Sequence, residues 1–150
     1  MKNINYTLRN AQQDDLSFVL NLHHTTLREY IEPLWGWDKE QWDKTVTNWF
    51  RPERIQIITT NEVDIGILVV QEKDNEFFFE SISIQPEFQN KGIGKKVISN
   101  IVEKSDLNNK AISLHVLKTN SSAKRLYESY GFHQTGEDGA NYTLKREPNC

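Results

Sequence analysis

A strand-like run that leads directly into a basic, glycine-containing helix start constrains this chain more than any other feature. It occupies residues 81–96, SISIQPEFQNKGIGKK. A helix begins with backbone N–H groups that have no partner inside the helix, and its dipole places partial positive charge there. Gly92 and Gly94 lack the Cβ atoms that would keep an anion away from those groups. Three lysines add positive charge at the same place: Lys91, Lys95 and Lys96. The junction is therefore expected to bind phosphate.

Two common phosphate-binding motifs do not fit this junction. A Walker A loop requires GxxxxGK followed by Ser or Thr, whereas Gly94-Lys95 is followed by Lys96 and no glycine lies five residues before Gly94. The dinucleotide fingerprint GxGxxG requires Gly or Ala where this chain has Val97, and an acidic residue about twenty positions further on, where it has Ile-Ser-Leu at 112–114. Neither a nucleoside triphosphate nor a dinucleotide is the expected ligand.

Two blocks of sequence fit a different ligand. The first is Gln89-x-x-Gly92-x-Gly94 after a strand that runs into Pro-Glu-Phe. The second is 114–132, LHVLKTNSSAKRLYESYGF, in which a strand is followed by an Asn, an Ala, a Leu-Tyr pair and a Gly-Phe. In this order and spacing the blocks resemble the coenzyme A-binding segments of the GCN5-related N-acetyltransferase (GNAT) family. The resemblance covers about residues 1–146, and its specificity is concentrated between 80 and 132.

Composition limits the organisation and the partners of the chain. Residues 1–150 have the length of one domain and contain no linker, repeat or low-complexity tract. The 18 basic and 21 acidic side chains give a net charge of −3, which argues against broad nucleic-acid binding. The apolar runs are too short to span a bilayer, and the start of the sequence lacks the apolar stretch of a secretion signal, so a cytoplasmic protein without membrane contact is expected. The one cysteine, Cys150, allows no internal disulfide.

No metal site is expected from the histidines. His23 and His24 are adjacent, so they point to different sides of a helix. His115 and His133 lie in unrelated segments without ligand spacing. His23 falls on the apolar stripe of the first predicted helix, and this position predicts a packed imidazole.

The spacing of apolar residues predicts four helices, near residues 14–27, 38–50, 92–104 and 123–130. The helical pattern breaks after Pro33, and Trp35-Gly36-Trp37 is expected to form a loop. Asp38-x-x-Gln41 is suited to capping the second helix. Gly131 is placed to end the last helix in the left-handed conformation, with Phe132 packing back against it.

Strand-like runs are predicted at Ile4–Leu8, Ile55–Thr59, Ile65–Gln71, Phe77–Ile84 and Ala111–Leu117, with a final hairpin in 133–146 turning at 136–139. The middle runs should form an antiparallel meander. The helix near 92–104 joins two strands as a βαβ unit, which makes those strands parallel. The expected fold class is mixed α/β, GNAT-like, with a sheet that is antiparallel at the front and parallel at the centre.

The resemblance implies acetyl-CoA as co-substrate. It assigns main-chain groups of Ile82 and Ile84 to the pantetheine arm and the thioester. Asn120 would hold the arm, although it is equally suited to capping the following helix. The full set of residues implied to bind the cofactor is Ile82, Ser83, Ile84, Gln89, Asn90, Lys91, Gly92, Ile93, Gly94, Lys95, Asn120 and Ala123.

Acetyl transfer to an amine needs a proton acceptor, a donor for the departing sulfur and an N–H donor for the developing negative charge. By resemblance Tyr127 is the acid, although its place on an apolar stripe also fits an ordinary core tyrosine. Strand alternation puts Glu80 on the same side as Ile82 and Ile84, which makes it the candidate base. A water chain is the alternative base, and a structural pairing with a neighbouring strand is the alternative role of Glu80.

The acceptor pocket implied by the resemblance lies at the first two helices and their loop, where Tyr30, Trp35 and Trp37 are the candidate substrate-binding residues. Alternatively, the tryptophans fasten the loop to the core. Residues 28–43 contain five acids and two bases, a bias towards a cationic acceptor. The expected function is transfer of acetyl to a primary amine of a small molecule or amino acid. A peptide or protein acetyltransferase and a non-catalytic acyl-CoA-binding module are the alternatives, and the resemblance leaves room for a homodimer.

Overall fold

The computed structural model describes residues 5–149. Its α-helices are α1 (Leu16–Thr26), α2 (Arg28–Trp35), α3 (Lys39–Trp49), α4 (Ile93–Asn108) and α5 (Ser121–Ser129). Its strands are β1 (Thr7–Asn10), β2 (Gln56–Thr60), β3 (Val63–Glu72), β4 (Glu76–Ile84), β5 (Ala111–Leu117), β6 (His133–Asp138) and β7 (Asn141–Arg146). Short 3₁₀ turns lie at Gln13–Asp15, Pro52–Arg54 and Pro86–Phe88. The predicted strand start at Ile4 and the terminal Cys150 lie outside the described residues.

The strands form one mixed sheet in the order β1-β2-β3-β4-β5-β7-β6. The neighbours β1, β2 and β3 pair antiparallel, β4 and β5 pair parallel, and β7 pairs antiparallel with both β5 and β6. Since α4 connects β4 to β5, these three elements form the predicted βαβ unit. The mixed α/β fold class is confirmed, with its antiparallel front and parallel centre.

The described residues contain five α-helices where the sequence predicted four. The additional helix, α2, includes the residues for which a break was expected. The backbone N–H of Ile31 donates to Leu27 (3.1 Å) and that of Gly36 donates to Glu32 (2.8 Å), so helical turns form on both sides of Pro33. A proline removes one N–H donor, and here the neighbouring turns carry the helix past it. No helix in the described part is both long and apolar enough to cross a membrane.

Residues 5–69, together with Ser81–Gly94, form one compact unit. Apolar side chains from α1, α3, β2 and β3 meet in its core because the apolar stripe of each helix packs against strand residues that alternate inward. Buried members of this core are Ala11, Val19, Leu22, Val46, Phe50, Ile55, Ile57, Ile67 and Val69. Trp42 and Trp49 pack against it from α3.

Val70–Glu80, together with residues 95–149, form a second compact unit. Buried side chains in this unit come from β4, α4, β5, α5, the loop after α5 and β7; they include Phe77, Phe79, Val97, Ile98, Ile112, Leu114, Tyr127, Phe132 and Leu144. Arg146 on β7 is buried and bonds to Asp106 of α4 (Nη1 to Oδ1, 2.9 Å) and to the backbone oxygen of Tyr130 (2.9 Å). This arginine therefore ties β7 to both helices of the unit.

The final hairpin is confirmed, but its turn lies further along than predicted. Gly136 belongs to β6, and the turn falls at residues 139–140, between β6 and β7. A register shift between Gln134 and Gly136 lets the strand accommodate the extra residue. Gly139, at φ 58°, takes the left-handed position of the turn.

Candidate active site

The segment between β4 and α4 is held in shape by hydrogen bonds to the strands before it. The backbone N–H of Gln85 donates to Ile65 (2.8 Å), and the N–H of Phe88 donates to Gln85 (2.9 Å) around the 3₁₀ turn. The side chain of Gln89 donates through Nε2 to the backbone oxygen of Ile84 (2.8 Å). Gln89 therefore braces the loop against the end of β4, a contact that sequence spacing did not reveal.

The loop then presents an open helix start. Asn90 and Gly92 both have positive φ, 61° and 87°. A Cβ built on Gly92 would meet nothing within 4 Å, so the space in front of this residue is open. Ile93, fully buried, anchors the first turn of α4, while Lys91 and Lys95 are exposed on either side of it. Open space, a helix start whose first N–H groups have no partner inside the helix, and two lysines fit a pyrophosphate.

Gly94 lies inside the first turn of α4, and its surroundings differ from those of Gly92. A Cβ there would be 3.7 Å from Cδ1 of Ile84, an ordinary van der Waals distance. The fold therefore has room for a methyl group at this position. Packing within the chain therefore does not require glycine at position 94.

The end of β4 carries the residues predicted to contact the cofactor's arm. Ser83 and Ile84 are buried and Ile82 is half-buried. In the described residues, the parallel ladder links β4 to β5 only from Glu76/Ala111 to Phe79/Leu114, although β4 continues to Ile84. From Glu80 onward the main chain of β4 is therefore outside this ladder.

Glu80 uses its two carboxylate oxygens differently. Oε1 accepts a hydrogen bond from Nε2 of Gln71 on β3 (2.9 Å). Oε2 is buried and has no hydrogen-bond partner among the described residues. Buried polar atoms are nearly always paired, so an unpaired carboxylate oxygen indicates an acceptor that is available to a ligand or a water. The predicted pairing with a neighbouring strand is thus observed for one oxygen only.

Tyr127 is packed as a core aromatic residue. Its ring lies 6.0 Å from Phe79 and 5.7 Å from Phe132, measured between centroids. Burial raises the pKa of Tyr127 to about 12, because the charged phenolate is disfavoured away from water. The hydroxyl therefore keeps its proton at neutral pH. Successive residues of a strand point to opposite faces of the sheet. The Phe79 side chain therefore lies on the face of β4 that contacts Tyr127, and the Glu80 side chain lies on the opposite face.

Asn120 is the N-cap of α5. Its Oδ1 accepts from the backbone N–H of Ala123 (3.2 Å) and from Oγ of Ser122 (3.3 Å). The capping role considered from the sequence is thus confirmed, and it occupies only the carbonyl oxygen of the side-chain amide. Ala123, half-buried in the first turn of α5, contributes its N–H to this cap.

The three residues suggested for the acceptor pocket have different surroundings. Trp35, at the end of α2, is 66% exposed. Trp37 is partly buried, lies 5.0 Å from the ring of Trp42, and donates from Nε1 to Nδ1 of His24 (3.1 Å). Tyr30 is partly exposed on α2. Trp37 therefore fastens the loop before α3, which agrees with the alternative that the tryptophans have a structural role. Asp38 caps α3 by accepting from the N–H of Gln41 (3.2 Å).

Residues predicted for one site lie in both units. Those of the strand end and the phosphate loop, Ile82 to Gly94, belong to the first unit, and Lys95, Glu80, Asn120, Ala123 and Tyr127 to the second. Across residues 5–149 no group of three or more His, Cys, Asp or Glu side chains could hold a metal ion.

Comparison with known proteins identifies the family. The family model described as the acetyltransferase (GNAT) domain matches residues 51–134, more than half of the chain. The chain belongs to the GNAT family. The match includes β4, the phosphate loop, α4, β5 and α5, so the GNAT segment contains every residue predicted for the cofactor and the catalytic steps.

One curated relative and several solved structures resemble this GNAT chain. N-acetylaspartate synthetase from Danio rerio is 36% identical over 83 residues, which are 53% of this chain and 29% of that protein. The matched region thus spans less than a third of the relative's length. PaiA N-acetyltransferase from Thermoplasma acidophilum, solved with coenzyme A, has a TM-score of 0.77 at 14% identity and covers 96% of this chain and 99% of its own. A spermidine N-acetyltransferase SpeG chimera from Vibrio cholerae and hSSAT has a TM-score of 0.67 at 24% identity, covering 95% of each chain. At these identities the solved structures show a shared fold.

Proposed function

We propose that this chain is an acetyl-CoA-dependent N-acetyltransferase that acetylates a primary amine of a small molecule or an amino acid. The observation that carries the proposal is the open helix start at Gly92, within the segment that matches the GNAT domain. The similarity to a synthetase that is named for N-acetylaspartate supports an acceptor of amino-acid size.

The phosphate loop would hold the cofactor by its pyrophosphate. The first N–H groups of α4 would donate to the phosphates, and Lys91 and Lys95 would neutralise part of their charge. Gln89, which is bonded to Ile84, would keep the loop in place. Asn120 would support the arm through the amide group that its cap does not use. The bound cofactor supplies the thioester carbonyl that the amine attacks.

The acceptor amine must lose a proton before or during attack. An ammonium group with a pKa of about 10.4 is neutral in only about one molecule in 2,500 at pH 7, which corresponds to roughly 4.6 kcal/mol. Glu80 is the proposed base because its buried Oε2 has no partner in the described structure. Gln71 orients the carboxylate by binding Oε1. A base that is fixed in one orientation loses less entropy when it meets the amine.

Tyr127 is the proposed donor to the departing sulfur. Its hydroxyl is protonated at neutral pH because burial raises its pKa to about 12. A thiolate with a pKa of about 8.5 is a weaker base than this phenolate, so complete proton transfer would be unfavourable by about 5 kcal/mol. The hydroxyl therefore stabilises the sulfur by a hydrogen bond, while Glu80 accepts the amine's proton on the opposite face of β4.

The main chain of β4 beyond Phe79 is the proposed donor to the carbonyl oxygen. Backbone N–H groups outside the β5 ladder can bind the negative charge that develops there, and they need not reorganise to do so. The acceptor would lie near Tyr30, Trp35 and Trp37. Residues 28–43 contain five acids and two bases, and both bases are paired with acids, Arg28 with Glu32 and Lys39 with Asp43. The net negative charge that remains favours a cationic acceptor.

The test is release of free thiol from acetyl-CoA with a panel of amines: aspartate and other amino acids, polyamines, aminoglycosides and peptides. We expect turnover with at least one small amine and none without an acceptor. Turnover with peptides alone would replace the small-molecule assignment by a peptide acetyltransferase. Binding of acetyl-CoA without turnover on any acceptor would favour the non-catalytic module. Sedimentation of the same protein would test the predicted homodimer.

A thermal shift with coenzyme A tests the cofactor assignment separately. A ligand at about 100 times its Kd stabilises a folded protein by roughly 2.7 kcal/mol. Coenzyme A and acetyl-CoA should therefore raise the melting temperature, and ATP and NAD should raise it much less. An equal shift with ATP would mean that the loop is a general phosphate site.

A further inference from the structure

His24 joins three parts of the first unit through its two ring nitrogens. It lies on α1, and its Nε2 is 2.7 Å from Oδ1 of Asp43 on α3. Its Nδ1 is 3.1 Å from Nε1 of Trp37, in the loop between α2 and α3. The rings of His24 and Trp37 meet edge to face, 5.2 Å apart. The hydrogen bond from Trp37 Nε1 to His24 Nδ1 is called here the His24–Trp37 latch.

The partners of His24 determine its protonation state. An indole N–H can only donate, so Nδ1 must present a lone pair to Trp37. The ring proton of the neutral imidazole must then be on Nε2, which donates to Asp43. Asp43 is suited to accept because Lys39, which bonds to its other oxygen at 2.9 Å, and His24 lower the pKa of its carboxyl. The latch is thus compatible with a single form of His24, the neutral Nε2–H tautomer.

Protonation of His24 would act in opposite ways on its two partners. A proton on Nδ1 would face the indole N–H of Trp37, so two donors would oppose each other and the latch would be lost. The bond to Asp43 would become an ion pair and persist. The ionisable groups at this site are Asp43 and Lys39 on α3 and His23 beside His24 on α1. Burial lowers the pKa of His23 to about 4, so His23 is neutral at neutral pH.

We infer that His24 is a positioning residue that holds Trp37, and with it the loop before α3, only while its imidazole is neutral. The inference about the latch stands on the hydrogen bonds of His24 alone. Its consequence for catalysis rests on the proposed function, in which Trp37 and Trp35 contribute to the acceptor site. In that case, acceptor binding weakens when His24 is protonated, and cofactor binding at α4 does not change.

Two substitutions separate the two bonds of His24. In His24→Asn the side-chain oxygen lies near the position of Nδ1, so it can accept from Trp37 without being titratable. In His24→Gln the amide reaches the position of Nε2, so it can donate to Asp43 but leaves Trp37 without an acceptor. Both variants keep one polar contact to a neighbouring element, and circular dichroism checks that both fold.

NMR of the full chain tests the latch directly. At pH 8, long-range ¹H–¹⁵N spectra should show His24 as the Nε2–H tautomer, and the Trp37 indole N–H should be protected from exchange. This protection should be lost on acidification, with the same midpoint as the protonation of His24. It should be independent of pH in His24→Asn and absent at every pH in His24→Gln. The exposed Trp35 indole is the internal control. An Nδ1–H tautomer at pH 8, or equal Trp37 protection in the two variants, would overturn the inference.

Kinetics test the consequence for the acceptor. At pH 8 the KM for the acceptor should be about 3- to 10-fold higher in His24→Gln than in His24→Asn, as expected for one lost hydrogen bond. The KM for acetyl-CoA should be equal in the two. Comparison at one pH cancels the ionisation of the acceptor itself. If NMR shows the latch but the acceptor KM is equal in both variants, the latch stands and the placement of the acceptor at this loop is wrong.

Discussion

A Cβ atom built on Gly66 would lie 2.2 Å from the backbone oxygen of Ser83. Real Cβ atoms do not approach a backbone oxygen so closely, and neither strand backbone can turn aside as a side chain could. Gly66→Ala should therefore destabilise the protein by about 3 kcal/mol, at the upper end of overpacking effects. Urea denaturation measures this change.

Gly136→Ala on β6 is the matched control for Gly66→Ala. Its Cβ would be 3.3 Å from Oγ1 of Thr143, the end of a side chain that can move. We expect a change in unfolding free energy of less than about 1 kcal/mol. If both variants were equally stable, the close approach of residue 66 to Ser83 would not exist in solution.

Gly94→Ala should separate stability from cofactor binding. Its methyl group meets only Cδ1 of Ile84 at 3.7 Å, and alanine favours a helix over glycine by about 0.5–1 kcal/mol. The variant should therefore be slightly more stable than the parent. Its affinity for acetyl-CoA should fall by about 10-fold or more, because the methyl group occupies space that the pyrophosphate needs. Calorimetric titration and thermal unfolding measure the two effects.

Gly139→Ala should show the reverse pattern. Gly139 has φ 58° in the β6–β7 turn, where alanine is strained by about 1 kcal/mol. Stability should fall and acetyl-CoA affinity should be unchanged. An unaltered affinity in Gly94→Ala would place the phosphates away from the first turn of α4.

Local patterns in the sequence predicted most of the parallel half of the fold. A few consecutive residues are enough to recognise the glycines of the phosphate loop, the alternating apolar residues of β4 and β5, and the end of α5. Gly131 has φ 94° after that helix, and Phe132 packs against Tyr127 as expected. These features depend on neighbouring residues, so periodicity and turn chemistry are sufficient to predict them.

The elements and contacts that the sequence did not reveal depend on distant residues. Pro33 predicted a break, but the turns around it continue, and Ile31 in this helix is buried. No spacing rule links Gln71 to Glu80, or Trp37 to His24, since each pair joins two different elements. A buried carboxylate with one free oxygen becomes visible only when the neighbouring strand has been placed beside it.

Tyr127→Phe distinguishes a catalytic from a structural tyrosine. Phenylalanine keeps the ring that packs between Phe79 and Phe132, so stability should change by about 1 kcal/mol or less. Loss of a hydrogen bond to the departing sulfur should lower kcat by about 10- to 100-fold, with the Kd for acetyl-CoA nearly unchanged. Because the pKa is raised to about 12, Tyr127 should add no alkaline limb to the kcat profile below about pH 10.

Tyr130→Phe is the control for Tyr127→Phe on the same part of the chain. The Tyr130 hydroxyl accepts from Ser99 (3.2 Å) and donates to the backbone oxygen of Lys95 (3.3 Å), so its loss also removes hydrogen bonds. Its kcat should remain within about 3-fold of the parent. Wild-type turnover in Tyr127→Phe, measured where chemistry limits the rate, would mean that the Tyr127 hydroxyl does not stabilise the departing sulfur.

His23 should make the protein sensitive to acid. Its imidazole is 5% exposed between Trp42 and Trp49, and neither ring nitrogen has a partner in the described structure. Burial lowers its pKa from 6.5 in the unfolded chain to about 4, so between these values the unfolded state binds a proton that the folded state does not. Stability contributed by the neutral imidazole is therefore complete above pH 6.5 and is lost as the pH falls, by about 2 kcal/mol at pH 5.

His23→Leu tests this origin of the acid sensitivity, since leucine fills a similar volume and cannot titrate. We expect its unfolding free energy to be at least equal to that of the parent at pH 8, because two unpaired buried nitrogens are removed. At pH 5 the variant should exceed the parent by about 2 kcal/mol more than it does at pH 8. His133→Gln, on the exposed strand β6, is the control and should keep the parent's acid dependence. Urea titrations at the two pH values decide the matter: a parallel loss of stability in the parent and in His23→Leu would mean that the imidazole is solvated or paired in solution, and that the acid sensitivity arises from the carboxylates.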